Sequence, residues 1–348
     1  MKSLEEKYVE RLRIPHRLIT IIRQIGEYKG KQELYKKQAP EILENLKHVA
    51  IIQSTESSNR LEGITADIKR IKALVEEKTT PANRPEGEIA GYRDVLNTIH
   101  SNYKNIPFTP NIVLQFHRDL MKYSGKEGGK WKSAPNEITE FLPDGTKKIR
   151  FIPVAPHLTQ EYMRLIHKEY NTLIKEQILD PLIMTPLYIL DFLCIHPFLD
   201  GNGRMARLLT VLLLYHSEYD VVRYISLERI VEKTKESYYE TLLKSSQGWH
   251  KGKHNVLPWT EYFLSTILAA YQEFESRFSH VSSGHGNKTS IVLNAVDSFI
   301  GDFSISELEE VCPTVSRDML RHILFKLRDK GKIKPTGKGR YARWRKIQ

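Results

Sequence analysis

Cysteine is nearly absent from this 348-residue chain, which contains only Cys194 and Cys312. Neither lies in a Cys-x-x-Cys pair, so a metal site of that type is excluded and a reducing, cytoplasmic setting is favoured. Long uncharged apolar runs are also missing. The densest one, LLTVLLLY, is too short to cross a membrane and is typical of a buried helix. The N-terminus, MKSLEEKYVERLRIP, lacks the apolar core of a secretory signal, so we expect no membrane contact.

The chain is instead rich in apolar and basic residues. Hydrophobic residues make up 40% of it, which is enough for packed cores and too many for a disordered protein. Its length favours two or three domains. The formal net charge of +11 permits nucleic-acid binding without requiring it, because the placement of charge matters more than the sum.

Helical periodicity dominates the sequence. In EILENLKHVAIIQST the apolar residues recur at steps of three and four, and several other segments repeat this pattern, which predicts a mainly α fold. One segment differs: EITEFLPDGTKKIRFIPV has two alternating runs around a turn signal at Pro143 and Gly145, which predicts a β-hairpin. Small and polar residues accumulate at 279–289, SHVSSGHGNKT, and predict a linker.

The segment HPFLDGNGRMAR, residues 196–207, concentrates polar residues and glycines. It includes a G-x-G-x-x-A string, but a dinucleotide fingerprint requires a preceding strand, and the preceding PLYILDFLCIH has the pattern of a helix. A simple corner between two helices would explain the glycines. It would not explain why one histidine, one aspartate, one asparagine and two arginines occur together.

A phosphate site accounts for these residues. A helix that begins after Gly203 directs free N–H groups and its positive dipole end into the loop, and the glycines let the backbone approach an anion. Arg204 and Arg207 lie three residues apart on one helix face and are suited to phosphate oxygens. Asp200 is suited to Mg²⁺, and His196 to a general base near neutral pH. Phosphoryl or nucleotidyl transfer requires such a set.

The same segment resembles the Fic motif, H-x-F-x-[DE]-G-N-G-R-x-x-R, at all eight specified positions. Fic-domain adenylyltransferases move AMP from ATP to a Ser, Thr or Tyr hydroxyl of a target protein. The resemblance implies a Fic-type helical bundle with a β-hairpin flap, in which Phe198 anchors the loop in the core. It implies that His196 is the general base and that Asp200 is the Mg²⁺ ligand. Asn202 would contact the α-phosphate together with the N–H groups of Gly201 and Gly203. Arg204 and Arg207 would contact the β- and γ-phosphates.

The resemblance also assigns roles outside the motif. The hairpin becomes a flap over the active site that captures the target segment as an added strand. Its docking arm would consist of Asn136, Glu137, Ile138 and Thr139. Tyr238 and Tyr239 look like an aromatic pair found near the adenine in related proteins, although paired tyrosines on an amphipathic helix are equally typical of plain packing.

The stretch STESSNRLEG resembles the Fic inhibitory motif, [ST]-x-x-x-E-[GN], at Ser58, Glu62 and Gly63. The resemblance implies an inhibitory helix, at about residues 45–62, whose Glu62 forms a bidentate ion pair with Arg207 and denies ATP a productive pose. Ser58 would lie one turn earlier on the same face. The alternative is a surface glutamate beside a helix C-cap at Gly63.

Residues 290–348 predict three short helices followed by a basic hairpin, which resembles a winged helix. Ser306 is expected to cap the second of these helices in a capping box with Glu309. The hairpin could contact DNA phosphates, but a solvated basic face or a protein-docking surface explains the charge equally well. The basic residues concerned are Lys332, Lys334, Lys338, Arg340, Arg343, Arg345 and Lys346.

These observations predict a mainly α protein with an N-terminal helical region (1–105), a Fic catalytic domain (106–278), a linker (279–289) and a small C-terminal winged-helix domain (290–348). The expected function is a self-inhibited adenylyltransferase that uses ATP and Mg²⁺ and releases pyrophosphate. Two alternatives stay open: removal of AMP from a modified target, with Glu62 orienting a water, and a nucleotide-sensing transcription regulator. The expected partners are ATP, a target protein, DNA or protein at the C-terminal domain, and a second copy of the chain in a homodimer.

Overall fold

The computed structural model describes residues 3–38, 40–141, 146–282, 287–299, 301–312, 315–337 and 342–347. Most of them are helical, as the periodicity predicts. The helices are α1 Glu6–Val9, α2 His16–Gln38, α3 Pro40–Leu61, α4 Ile68–Val75, α5 Arg84–Asn102, α6 Pro110–Met121, α7 Pro156–Lys175, α8 Pro181–Ile195, α9 Asn202–His216, α10 Leu227–Lys233, α11 Lys235–Ser246, α12 Leu257–Ser282, α13 Asn287–Ser298, α14 Ile305–Val311 and α15 Arg317–Asp329.

Helices α8 and α9 form the centre of the larger unit, because they contain the densest apolar sequence. Almost every side chain of α8 is buried, and so are most of those of α9. Such helices need partners on all sides, and α5, α7, α11 and α12 pack around them. The loop 196–201 joins the two buried helices, so both of its ends are fixed by the core.

The predicted β-hairpin is present. Strands β1 (Ile138–Phe141) and β2 (Lys147–Phe151) pair antiparallel, with Thr139 opposite Ile149 and an irregularity between Ile138 and Thr139. The turn signal at Pro143 and Gly145 lies outside the described residues.

Helix α3 is the predicted inhibitory helix and begins earlier than expected, at Pro40. It ends in a Schellman motif: Gly63 has φ 75° and its N–H bonds to the carbonyl of Arg60 at 2.9 Å, while the N–H of Ile64 bonds to the carbonyl of Asn59 at 3.0 Å. Glu62 is therefore the C-cap residue. Upstream, the seven polar residues 53–59 are all buried, because α4, α5 and α10 pack against this part of the helix.

The C-terminal unit has its own core, which includes Val292, Phe303, Leu320 and Leu324. Helices α13 to α15 pack against a sheet of β3 (Phe303–Ser304), β4 (Ile333–Pro335) and β5 (Arg343–Lys346) in the order β3-β5-β4. This element order is compatible with the predicted winged helix, whose identity stays a prediction.

Two expectations for this end of the chain differ from the structure. The capping box of α14 uses Ser304 and Glu307, not Ser306 and Glu309. The reason is that β3 pairs with β5 up to Ser304, so the helix starts at the next residue. The predicted linker 279–289 is helical at both ends, since α12 reaches Ser282 and α13 begins at Asn287. Residues 283–286 lie outside the described part.

Two findings bear on the compositional expectations. Among the described helices, none has both the length and the apolar character that a bilayer span requires. Cys194 and Cys312 are both buried, and neither forms a disulfide.

Candidate active site

The loop between α8 and α9 adopts backbone conformations that few residues tolerate. His196 ends α8 with φ 51° and ψ 62°, a left-handed conformation that is uncommon for a residue other than glycine. Pro197 disfavours continuation of the right-handed helix through His196. Gly201 has φ 80°, and a Cβ there would lie 2.6 Å from Cε of Met121. Glycine is therefore favoured at 201 by its conformation, whereas the contact with the flexible end of Met121 could be relieved by a shift of that side chain.

Phe198 anchors this loop in the core, as predicted. Its fully buried ring stacks on His117, with centroids 3.6 Å apart, and on Trp131 at 5.4 Å. The Gly129 N–H donates to Nδ1 of His117 at 3.0 Å, so Nε2 carries the proton and donates to the carbonyl of Asp200 at 3.1 Å. Burial lowers the pKa of His117 to about 4, so His117 is neutral and supports the loop.

Asn136 supports the loop from the other side. Its Nδ2 donates to the carbonyls of Phe198 at 2.9 Å and His196 at 3.2 Å. Lys132 Nζ donates to Asn136 Oδ1 at 2.8 Å and to the carbonyl of Ile195 at 3.0 Å. The side-chain amide of Asn136 is fully engaged, and target docking by the backbone of residues 136–139 stays a prediction. Burial lowers the pKa of Lys132 to about 8.

His196 has the properties of a general base. Its Nδ1 lies 3.3 Å from the carbonyl of Leu193, which only accepts, so Nδ1 carries the proton and Nε2 carries the lone pair. Burial lowers the pKa of His196 to about 4, and the nearby charge of Lys132 acts in the same direction. The imidazole is therefore neutral at physiological pH and able to accept a proton.

Asp200 is ionised and accessible, as a metal ligand must be. Burial raises its pKa, but the ion pair with Lys126 and the charge of Arg204 outweigh burial, and the net pKa is lowered. The Gly201 N–H donates to Oδ1 at 2.6 Å. The described residues contain no cluster of three or more His, Cys, Asp or Glu side chains arranged to hold a metal. This single carboxylate fits Mg²⁺, which often binds one or two carboxylates and completes its shell with phosphates and water.

The carboxylate of Glu62 occupies the space beside the first turn of α9. A Cβ on Gly203 would overlap Oε1 of Glu62 and lie 3.3 Å from Nη1 of Arg207. Because free N–H groups and the positive end of the helix dipole lie there, this is the place where α9 favours an anion. Glu62 is that anion in the structure.

Arg207 joins Glu62 to Ser58. Its Nη2 donates to Glu62 Oε1 and to the carbonyl of Ser58, each at 2.8 Å, and its Nε donates to Ser58 Oγ at 2.8 Å. The ion pair is thus present, but it is not bidentate as expected, because Ser58 takes two of the three hydrogen bonds. Arg207 is buried, whereas Glu62 is 33% exposed.

Arg204 differs from its prediction. Its buried guanidinium contacts Oε2 of Glu88 at 2.8 Å through Nη1 and Oδ1 of Asp200 at 3.7 Å through Nη2. Within the described residues, Arg204 does not line the cavity that contains His196. Helix α5 places the buried carboxylate of Glu88 beside it, and that carboxylate requires a cation. The expected β- or γ-phosphate contact is therefore not available in this arrangement.

Asn202 is also engaged elsewhere. Its Oδ1 accepts from the N–H of Phe198 at 3.0 Å, and its Nδ2 donates to the carbonyl of the same residue at 2.8 Å. The side chain closes the loop onto itself, so its predicted α-phosphate contact does not hold for the amide here. Residues 201–203 still line the cavity, so their backbone N–H groups are available for a phosphate contact.

The cavity at this loop has a volume of about 730 Å³ and a lining of mixed character. The lining includes the polar side chains of His196, Asp200, Arg207 and Glu62, and leucines of α8 and α11. Of the predicted docking arm, Ile138 and Thr139 line the cavity, whereas Glu137 is exposed outside it.

Tyr238 and Tyr239 also line this cavity. Tyr238 is buried against Trp259 and Tyr262, as the packing interpretation requires. Tyr239 is 38% exposed, and its hydroxyl donates to the carbonyl of Leu61 at 3.4 Å. Adenine contact stays a prediction for both tyrosines.

A buried carboxylate that no sequence pattern predicted holds α3 in place. Glu228 is 2% exposed. It accepts hydrogen bonds from Tyr92 at 2.9 Å, from Ser54 at 2.7 Å and from Ser226 at 3.1 Å. These donors come from α5, α3 and the N-cap of α10. Only the N-cap serine two residues upstream was a local signal, and it does not point to α3.

Comparison with known proteins identifies the central region. Residues 107–214 match the Fic/DOC family. A protein adenylyltransferase Fic from Nematostella vectensis is 24% identical over 207 residues, which is 57% of this chain and 44% of that protein. The match thus spans less than half the length of this curated relative.

Solved structures show the same fold. A Fic family protein from Desulfovibrio desulfuricans G20 superposes with a TM-score of 0.61 over 97% of both chains, at 19% identity. A Fic domain containing signaling protein from Bacteroides thetaiotaomicron VPI-5482 has a TM-score of 0.59 and 22% identity, over 72% of this chain and 95% of that one.

Proposed function

Because residues 107–214 form a Fic/DOC domain, we propose that this protein is a self-inhibited adenylyltransferase that transfers AMP from ATP to a hydroxyl of a target protein. The observation that carries the proposal is one cavity lined by a neutral His196, an ionised Asp200 and the start of α9, in which Glu62 contacts Arg207. Its volume of about 730 Å³ is in the range of small-molecule sites.

His196 acts as the base in this reaction. Its Nε2 takes the proton of the target hydroxyl while the hydroxyl oxygen bonds to the α-phosphorus, and the bond from that phosphorus to the pyrophosphate oxygen breaks. The carbonyl of Leu193 accepts from Nδ1–H and stabilises the imidazolium that forms. The stacking of Phe198 on His117 fixes the loop that bears His196 during the step.

The start of α9 and Arg207 bind the phosphates. The free N–H groups beside Gly203 face the space that Glu62 now fills, and they suit the oxygens of a phosphate equally well. Asp200 would hold Mg²⁺ after releasing Lys126, and the ion would neutralise phosphate charge. Arg204 stabilises the loop through Glu88 and has no direct part in binding.

Glu62 inhibits because it binds Arg207, the same residue that the nucleotide requires. While its carboxylate is paired with Arg207, the third phosphate has neither a cation nor space beside Gly203. A nucleotide that does bind is then held in an unproductive position. Since Glu62 is partly exposed and located at a helix end, its withdrawal requires no unfolding of the core.

The test is label transfer from ATP labelled in the α-phosphate. Glu62→Gly is expected to raise auto-modification and labelling of lysate proteins, and Glu62→Gly combined with His196→Ala is expected to abolish both. Glu77→Gly is the matched control, because Glu77 is an exposed glutamate with φ 56° after the end of α4. Labelling of Glu62→Gly at the wild-type level across several Mg²⁺ and ATP concentrations would overturn the inhibitory role.

A second candidate function is removal of AMP from a modified target. It is favoured by the position of Glu62, which is 33% exposed and lines the same cavity as His196, so that its carboxylate has access to a water. Wild-type protein would then release AMP from a target labelled beforehand by Glu62→Gly protein. Glu62→Gly protein itself would not.

The regulator alternative has less support. Three of the basic side chains at the C-terminal unit pair with its own acids: Arg343 with Glu307, Arg345 with Asp302 and Arg317 with Glu309. Lys338 and Arg340 lie outside the described residues. DNA contact stays a prediction for this unit, and a gel shift that did not weaken with salt would contradict it.

A further inference from the structure

The four consecutive carbonyls of residues 195–198, which surround the proposed base, all accept hydrogen bonds from Lys132 or Asn136. The backbone N–H of Lys132 donates to the carbonyl of Pro197 at 2.8 Å, and its Nζ donates to the carbonyl of Ile195 at 3.0 Å. Asn136 Nδ2 donates to the other two carbonyls, at 3.2 and 2.9 Å. Lys132 Nζ also donates to Asn136 Oδ1 at 2.8 Å, so the two side chains act together.

The backbone of His196 requires such support, because its conformation is unfavourable. Its φ of 51° lies in the left-handed region, which residues other than glycine adopt at a cost of about 1–3 kcal/mol. A conformation of this kind persists only where the surrounding structure holds it. The direction of a side chain depends on its backbone, so the hydrogen bonds that fix the backbone of His196 also fix its ring.

The ammonium of Lys132 is costly to bury. The residue is 3% exposed, and burial lowers its pKa to about 8. The groups that accept from Nζ are an amide oxygen and a backbone carbonyl, not a carboxylate. The carbonyl is that of the last residue of α8, where the negative end of the helix dipole favours a cation. A neutral side chain of similar length would avoid the cost of burial, so packing alone does not explain a lysine here.

The charge of Lys132 acts on His196. Burial is the main cause of the low pKa of His196, the charge of Lys132 lowers it further, and the carboxylate of Glu62 acts in the opposite direction. Within the described part of the chain, Lys132 does not line the cavity that contains His196. Any effect of Lys132 on the reaction is therefore exerted through the base and not by contact with a substrate.

We propose that Lys132 is a positioning residue for His196: together with Asn136 it holds the strained backbone that keeps the ring in the cavity, and its ammonium disfavours a second positive charge on that ring. The consequence for catalysis rests on the proposed function, whereas the effect of the ammonium on the ring does not. Asn136 lies two residues before β1, so the same hydrogen bonds connect the predicted flap to the base.

The first measurement is the rate of auto-modification by Glu62→Gly protein as the ATP concentration is varied. Adding Lys132→Met is expected to lower the plateau rate about tenfold or more, because a displaced base reacts slowly. The half-saturating ATP concentration is expected to stay unchanged, because the end of the loop at residues 201–203 has its own support from the Asn202 side chain. Collapse of the whole loop would instead raise the ATP requirement as well.

Two further variants control this measurement. Lys130→Met is the matched control, because the Lys130 side chain is 71% exposed in the same segment, and it is expected to change neither quantity. Asn136→Leu keeps the test independent of how Lys132→Met folds. It removes the donors to two of the four carbonyls and leaves the lysine in place, and it is also expected to lower the plateau rate alone.

The second measurement requires no activity. In protein with isotope-labelled histidine, the NMR signal of His196 is assigned by its absence from His196→Ala and then followed against pH in the Glu62→Gly background. Lys132→Met is expected to raise the pKa of His196, because a nearby like charge is lost, and Lys130→Met is expected to leave it unchanged.

Three results would overturn the proposal: a plateau rate that Lys132→Met leaves unchanged, a half-saturating ATP concentration that rises in proportion to the fall in rate, or a pKa of His196 that does not respond to Lys132→Met. If Glu62→Gly protein transferred no label while Lys132→Met still raised the pKa of His196, the proposed function alone would fail. The effect of the ammonium on the ring would then stand.

Discussion

The two arginines of the motif look equivalent in sequence and differ completely in structure. Both belong to α9, and both contact a glutamate oxygen at 2.8 Å. The partner of Arg204 is Glu88, which is 3% exposed in the second turn of α5, whereas the partner of Arg207 is Glu62, which is 33% exposed at the end of α3. The ion pair of Arg204 with Glu88 is part of the core, whereas the ion pair of Arg207 with Glu62 lies in the candidate active site.

The two pairs differ in the environment that each arginine has after its glutamate is removed. Removing one partner of a fully buried pair strands a charge away from water. Removing a partly exposed partner admits water, and Arg207 keeps its two hydrogen bonds to Ser58. A contact that can be broken reversibly therefore requires a partly exposed glutamate such as Glu62. A buried glutamate such as Glu88 suits a contact that stays formed.

The largest expected effect is at the buried pair. Glu88→Gln should lower the free energy of unfolding by about 3–5 kcal/mol, because the guanidinium of Arg204 stays buried without its countercharge. Denaturant unfolding of the catalytic unit, followed by circular dichroism, measures it. Arg84→Gln is the control: Arg84 also pairs with Glu88 but is 59% exposed, so a loss below about 1 kcal/mol is expected. Equal losses would contradict the distinction.

The next effect is at the anchor of α3, the helix that bears Glu62. Ser54→Ala removes a hydrogen bond to the buried carboxylate of Glu228 and should cost about 2 kcal/mol. The same unfolding experiment applies. Ser57→Ala, in the same buried run of α3 but not bonded to Glu228, should cost less. If the two variants were equally stable, Glu228 would not be what holds α3 in place.

A smaller effect is expected at the partly exposed pair. Glu62→Gln should change the free energy of unfolding by less than about 1 kcal/mol, because water and Ser58 compensate Arg207. Measured beside Glu88→Gln, it tests the comparison directly. A loss as large as that of Glu88→Gln would mean that Glu62 is structural and not removable.

The smallest expected effect is on pH dependence. Burial lowers the pKa of His196 to about 4, so the neutral base is present above about pH 6 and is lost only as the pH falls through about 4. Label transfer by Glu62→Gly protein should therefore be nearly flat between about pH 6 and pH 8, with folding checked at each pH. A fall in rate centred on the ordinary histidine value near 6.5 would show that the site does not shield His196.

The motif itself could be predicted from the sequence, but the contacts that its individual residues make could not. Spacing placed Arg204 and Arg207 on one helix face, but their partners come from α5 and α3, more than a hundred residues upstream. The same holds for Asn136, whose amide binds a loop that is sixty residues away in the chain. A pattern in one segment contains no information on which distant element will cover it.

Predictions of helix ends from neighbouring residues were correct where the local backbone conformation determines where a helix ends. The His-Pro step ended α8, and Gly63 ended α3 as a C′ glycine. They failed at α14, where pairing of β3 with β5 moved the cap from Ser306 to Ser304. Tertiary pairing overrode a capping signal that was acceptable on its own.

Under the proposed function, the absence of a side chain at Gly203 restricts which mutations could relieve inhibition. Any Cβ at 203 would collide with the Glu62 carboxylate, and under the proposed function it would also exclude the phosphates that use the same space. Mutations that exclude the inhibitor at this residue would exclude the substrate with it. A genetic screen for hyperactive alleles should therefore return changes in α3, at Ser58, Glu62 or their supports, and none at 203.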